Sequence, residues 1–127
     1  MADNPAFAVT PRVAAVNIAT ANTNRDGTGT IATLITGAAT GTRIAEIVVQ
    51  ARVTTTAGMV RLFLYDGTTY RLFDEIGIAA ATVSASVKAT RVSTLYNNLL
   101  LPSASWSLVV STHNAESMDV TALGADL

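Results

Sequence analysis

Arg43-Ile44-Ala45-Glu46-Ile47-Val48-Val49-Gln50-Ala51-Arg52-Val53-Thr54 carries the clearest period of two in the chain. Ala45, Ile47, Val49, Ala51 and Val53 fall on one side of an extended backbone. Glu46, Gln50 and Arg52 fall on the other, with Val48 among them. Successive side chains of a strand point to opposite faces, so the pattern predicts a strand with one buried face. A strand half-wetted in this way belongs to an antiparallel sheet packed on a second layer. Parallel sheets, covered by helices on both faces, have strands that are apolar throughout.

The same reading extends along the chain. Residues 59–65 and 69–76 predict a hairpin around Asp66-Gly67, a pair that favours a two-residue type I′ turn. Leu62 and Leu64 face one way and Arg61, Phe63 and Tyr65 the other, so neither face is expected to be fully wet. Residues 105–112 place Trp106, Leu108 and Val110 on one face, and 117–123 turn Met118, Val120 and Ala122 inward. The two faces of 86–95 are hardly distinguishable, as suits an edge strand, and 96–101 ends at Pro102. Upstream, 30–36 and 13–20 read as strands, the latter with Val16 and Ile18 sharing a face. Residues 22–29 and 37–41 read as loops, and 77–86 as an extended linker. About eight short strands without a helical period predict an all-β chain: a single antiparallel two-sheet β-sandwich, best fitted by a jelly roll of about eight strands.

The expected domains are an extended N-terminal arm over 1–12 and the sandwich over 13–127. Pro5 and Pro11 stiffen the arm, Phe7 is its one large apolar group, and Arg12 offers a cation to a partner carboxylate. Deleting 1–12 is expected to leave the fold intact. Met1-Ala2-Asp3-Asn4-Pro5 has no basic n-region, so synthesis without a secretory leader is expected. No run approaches the ~20 apolar residues of a membrane span.

Composition narrows the function. Charged residues make up 13% of the 127 residues, against a usual ~25%. Seven of the eight basic residues are Arg, and interfaces favour Arg over Lys. A small β domain with so few charges protects its sheet edges poorly, so much of its surface is expected to be covered in an assembly of copies. The net charge of −1 gives no basic field for nucleic acid. With no cysteine, disulfides and thiolate metal sites are excluded.

Little catalytic chemistry is on offer. His113 is the only histidine, so a site of two His and a carboxylate does not arise within one chain, and His113-Asn114-Ala115-Glu116 reads as a polar turn. Asp74 and Glu75 are adjacent on a strand and point to opposite faces, so they do not form an acid–base pair. Asn22, Asn24, Asp26 and Gly27 resemble the start of a calcium loop, but Thr33 stands where that loop needs Glu, and an Asx-rich turn is the simpler reading. The stretch from Gly37 to Arg43 lacks the lysine of a phosphate loop. Tyr65, Tyr70, Tyr96 and Trp106 are candidates for a sugar platform, although Trp106 alternates with core residues. The expectation is a protein that is no enzyme and uses no metal or cofactor.

Three stretches carry a resemblance: residues 20–29 (TANTNRDGTG), 57–67 (AGMVRLFLYDG), and Leu101-Pro102 followed by 107–116 (SLVVSTHNAE). Over roughly residues 20–120 the chain resembles small β-sandwich virion proteins of tailed bacteriophages, of the capsid cement or decoration type. That resemblance implies a virion protein on the capsid surface, made in the host cytoplasm. It also implies binding to the major capsid protein and a homo-oligomer, with a trimer favoured over a dimer. It transfers no catalytic residues. A phage tail, fibre or host-glycan-binding module is the alternative.

Overall fold

The computed structural model describes residues 10–127. Its strands are β1 (Thr10–Ile18), β2 (Ala32–Thr36), β3 (Thr42–Ala51), β4 (Gly58–Tyr65), β5 (Tyr70–Ile78), β6 (Arg91–Leu101), β7 (Ser107–Thr112) and β8 (Met118–Asp126). They form two four-stranded antiparallel sheets, ordered β1-β8-β3-β6 and β2-β7-β4-β5. Read along the chain, β1 faces β8, β2 faces β7, β3 faces β6 and β4 faces β5. This is one long hairpin rolled into a sandwich, the jelly roll expected from the sequence. Only the β4–β5 connection stays within a sheet; the other six cross between layers.

The core lies between the sheets. Ile44, Ile47, Val49, Val120 and Ala122 from the first sheet meet Val60, Leu62, Leu108 and Val110 from the second, all buried. Trp106 packs against this cluster. The expected inward sets of β1, β7 and β8 are therefore correct, and β6 does lie at a sheet edge.

The structure corrects several local expectations. Against β8 the register of β3 shifts between Ile44 and Glu46, so Ala45 is an extra residue that turns outward and Ile44 takes the inward place. Such a bulge puts two residues opposite one and breaks the simple alternation. The strand ends at Ala51, leaving Val53 in a loop and 39% exposed. Around Asp66-Gly67, Tyr65 pairs with Tyr70, so the connection has four residues, not two. Only Gly67 has a positive φ there (96°), whereas a type I′ turn needs two. Asp66 Oδ1 instead accepts the amides of Thr68 (2.9 Å) and Thr69 (2.8 Å). Residues 86–90 lie outside β6, which covers 91–101; its pairing with β3 is irregular, since Leu95 faces Glu46 and Leu99 faces Ile44, leaving 96–98 opposite Ala45 alone.

The first strand also begins earlier than expected. Pro11 and Arg12 belong to β1, paired with Ala125 and Gly124. Pro5 and Phe7 lie outside the described residues.

Candidate assembly surfaces

The two outer faces of the sandwich differ. On the β2-β7-β4-β5 sheet, Phe63, Arg61 and Val109 point away from the core, yet they are 0%, 1% and 2% exposed. The loop between β1 and β2 accounts for this. Ala21 bridges Thr112 in parallel, and Asn22 N donates to Thr112 O (2.8 Å). The loop then crosses to β5, where Gly27 sits against the Tyr70 side chain. Asn22 organises it from within: its amide donates to the carbonyls of Thr28 and Thr30 (both 2.9 Å), and its Oδ1 accepts from Asn24 N. Asp26 Oδ1 accepts from the Thr28 hydroxyl and amide, which hold the carboxyl below its ordinary range. The Asn22 and Asp26 oxygens that suggested a calcium loop are thus engaged in an Asx-type turn.

Under the loop lies a charged cluster that the sequence did not disclose. Arg61 Nε donates to Glu75 Oε2 (2.8 Å), and its Nη1 donates to the Asn22 carbonyl (3.3 Å). Both Nη atoms lie 3.3 Å from His113 Nδ1. A guanidinium has no acceptor, so Nδ1 accepts and the ring proton sits on Nε2. Arg25, on the loop, reaches the same Glu75 Oε2 (2.8 Å). Arg25 first, then Arg61, keep Glu75 ionised below the usual carboxylate range. His113 therefore serves as a polar support, and Glu75 fastens the loop to the sheet. The aromatic and long residues on both faces of the 59–76 hairpin were the one sequence signal that this face is covered.

The other outer face, across β1-β8-β3-β6, has no such cover among the described residues. One transverse row runs Val13, Leu123, Glu46, Leu95. Its end members, Val13 and Leu95, are 68% and 78% exposed. The neighbouring row runs Pro11, Ala125, Arg43, Leu100. Between them the Ala45 bulge opens a groove of about 490 Å³ lined by Arg43, Glu46, Leu95 and Leu123. Gly124 makes the bulge possible: a Cβ there would lie 2.0 Å from Arg43 O. Arg43 Nη2 donates to Asn97 O (2.7 Å), and Glu46 accepts from the Ser93 hydroxyl; neither is in an ion pair among the described residues.

Arg12 makes a contact within the chain. Its Nη1 donates to Asp126 Oδ1 (2.9 Å) and its Nη2 to the Thr36 carbonyl (3.1 Å), so it ties β1 to β8 and to the other sheet. The four aromatic residues proposed as a sugar platform are not gathered. Tyr65 and Tyr70 stack on each other, Tyr96 donates to Asp74 Oδ2 (2.7 Å) beside Phe73, and Trp106 packs on the core. Asp74 and Glu75 point apart as expected, one to Tyr96 and one to the two arginines.

No family model matches the sequence, and no curated protein matches it. Among solved structures, the chain is similar to one in the cyanophage Pam1 capsid asymmetric unit, with 14% identity and a TM-score of 0.49 over 100% of this chain and 92% of that one. It is also similar to a chain in the infectious bursal disease virus Gt strain, with 16% identity and a TM-score of 0.35 over 98% of this chain and 34% of that one. Both are viral structures.

Proposed function

We propose that this chain is a non-catalytic structural protein of a tailed-phage virion. It decorates and stabilises the capsid by assembling with copies of itself and gripping major capsid subunits. The observation that carries this reading is the asymmetry of the sandwich. One outer sheet face is largely covered by the protein's own loop, with Leu72 and Phe73 of β5 still 38% and 40% exposed, while the other exposes Val13, Leu95 and Leu100 on its two edge strands, β1 and β6. Such a patch on a chain this poor in charge marks a contact surface. The sequence resemblance to cement and decoration proteins points the same way.

A partner that binds the assembled shell and not free subunits stabilises the shell by mass action. The segment ahead of β1 supplies a second grip in this proposal. Pro5 lowers the ordering cost of that segment and Phe7 anchors it. Arg12 is engaged within the fold, with Asp126 and the Thr36 carbonyl.

The test is to add the purified chain to heads of the encoding phage that lack it and to follow co-sedimentation and the temperature at which the heads break. Saturable binding and a higher breaking temperature are expected. A chain lacking residues 1–9 should bind more weakly while melting as the full chain does. Heads that neither retain the full chain nor gain stability would overturn the reading.

A further inference from the structure

We propose that the bare face of the β1-β8-β3-β6 sheet is closed by the same face of a second copy, in a two-fold contact centred on the Ala45 bulge. The occupant is identified by charge. Arg43 and Glu46 lie on either side of Ala45 on one strand, both turned outward, in adjacent rows that are otherwise apolar. A two-fold axis in the plane of the contact, crossing the strands above Ala45, exchanges those two rows. Arg43 of one copy then faces Glu46 of the other, twice over. The same operation sets Leu95 against Leu100, Leu123 against Ala125, and Val13 against Pro11. An isologous contact must be self-complementary in this way. A cation and an anion without ion-pair partners among the described residues, placed on either side of a bulge, meet that condition.

The contact is two rows deep and four strands wide, about 19 Å across at the usual strand spacing. That extent belongs with weak, reversible interfaces. A dissociation constant in the range of about 10 to 100 μM is therefore expected, made effective on a shell by the high local concentration there. The resulting dimer replaces the trimer favoured by the sequence resemblance. The inference rests on the geometry of the face and not on the capsid reading.

The experiment is analytical ultracentrifugation of the full chain from about 1 to 500 μM, a range set to bracket that affinity. A monomer–dimer equilibrium is expected. Arg43→Glu or Glu46→Arg alone sets like charges against each other at both contacts and should weaken dimerisation about tenfold or more. The double reversal, Arg43→Glu with Glu46→Arg, restores opposite charges and should recover most of the affinity. Leu95→Asp should leave a monomer. Melting curves check each variant's fold, since each charge reversal disturbs one hydrogen bond at the face.

A chain that stays monomeric throughout, sediments as a trimer, or loses as much in the double reversal as in the singles combined overturns the proposal. So does a chain that dimerises only after residues 1–9 are removed, since that segment would then be the occupant. Head binding by a strictly monomeric chain would sink the two-fold contact and leave the capsid reading standing. A charge-swappable dimer that ignores heads would do the reverse.

Discussion

At the scale of single residues, the fold's most demanding group is Arg61. Its side chain is 1% exposed, and a buried cation is tolerated only when paired and hydrogen-bonded. Glu75 supplies the charge, while the Asn22 carbonyl and His113 Nδ1 accept from the Nη groups. Glu75→Gln leaves Arg61 buried without its anion, so a fall in the denaturant midpoint several times that of Arg25→Ala is expected. The Arg25 side chain is 55% exposed, and its loss should stay within about 0.5 kcal/mol. Acid response follows from the same kind of contact. Glu75 (by Arg25 and Arg61), Asp66 (by the Thr69 and Thr68 amides), Asp119 (by Asn17 and Arg52) and Asp126 (by Thr42 and Arg12) are all held below their ordinary values. A depressed carboxyl contributes stability that is complete above its unfolded value and is lost as pH falls through the folded one. Tyr96 is shifted upward, by burial and then by Asp74, so its contribution fades as pH rises past the ordinary tyrosine value of 10.0. Thermal melts should therefore show a plateau between about pH 5 and 9, with losses on both sides. The Asx turn at residues 22–29 was legible in the sequence because its hydrogen bonds are local. The Arg61 cluster was not, because alternation assigns Arg61 to an outward face and cannot say what lies over it.

At the scale of elements, two glycines mark where backbone passes backbone or side chain too closely for a Cβ. Gly27 has a φ of 86°, and an added Cβ would lie 2.3 Å from the Tyr70 Cβ. Gly27→Ala should lift the β1–β2 loop from the sheet and expose Phe63. It is expected to cost about 1–3 kcal/mol and to open the loop to limited proteolysis while the core strands stay protected. Gly124→Ala meets β3 backbone, which cannot swing aside as a side chain can, so it should be the more damaging of the two in the same melts. These sites also explain where reading by alternation stopped. β7 and β8 were legible because each packs one face on the core without interruption. β3 was misread at Ala45 because a bulge inserts one residue and restarts the alternation, and nothing in Ile44-Ala45-Glu46 announces it. The Asp66-Gly67 pair was correctly placed at a hairpin end. The Asp66 carboxylate, capping two amides, then selected the longer turn.

At the scale of the whole molecule, the nested pairing sets the first strand beside the last, with β1 at the edge of the sheet and β8 next to it. Strand number and class were visible in the spacing of short alternating runs. The pairing of β1 with β8, or of β3 with β6, was not, because partners so distant in sequence leave no local trace in either strand. The N-terminal boundary shows the consequence. By composition the sandwich began at residue 13, and by pairing it includes Thr10, Pro11 and Arg12, which stand opposite Asp126, Ala125 and Gly124. Arg12 also spans both layers, through Asp126 on β8 and the Thr36 carbonyl on β2. Removing residues 1–12 therefore does more than remove an arm: it takes three pairs from an edge strand, unties the sheets at that corner and leaves the Asp126 carboxylate without its cation. Truncation after residue 9 should leave the melting temperature unchanged within about 2 °C, whereas truncation after residue 12 should lower it by about 5 °C or more. Arg12→Ala in the full chain should account for part of that fall, and equal melting of the two truncated chains would show that the strand carries no closure at its first three residues.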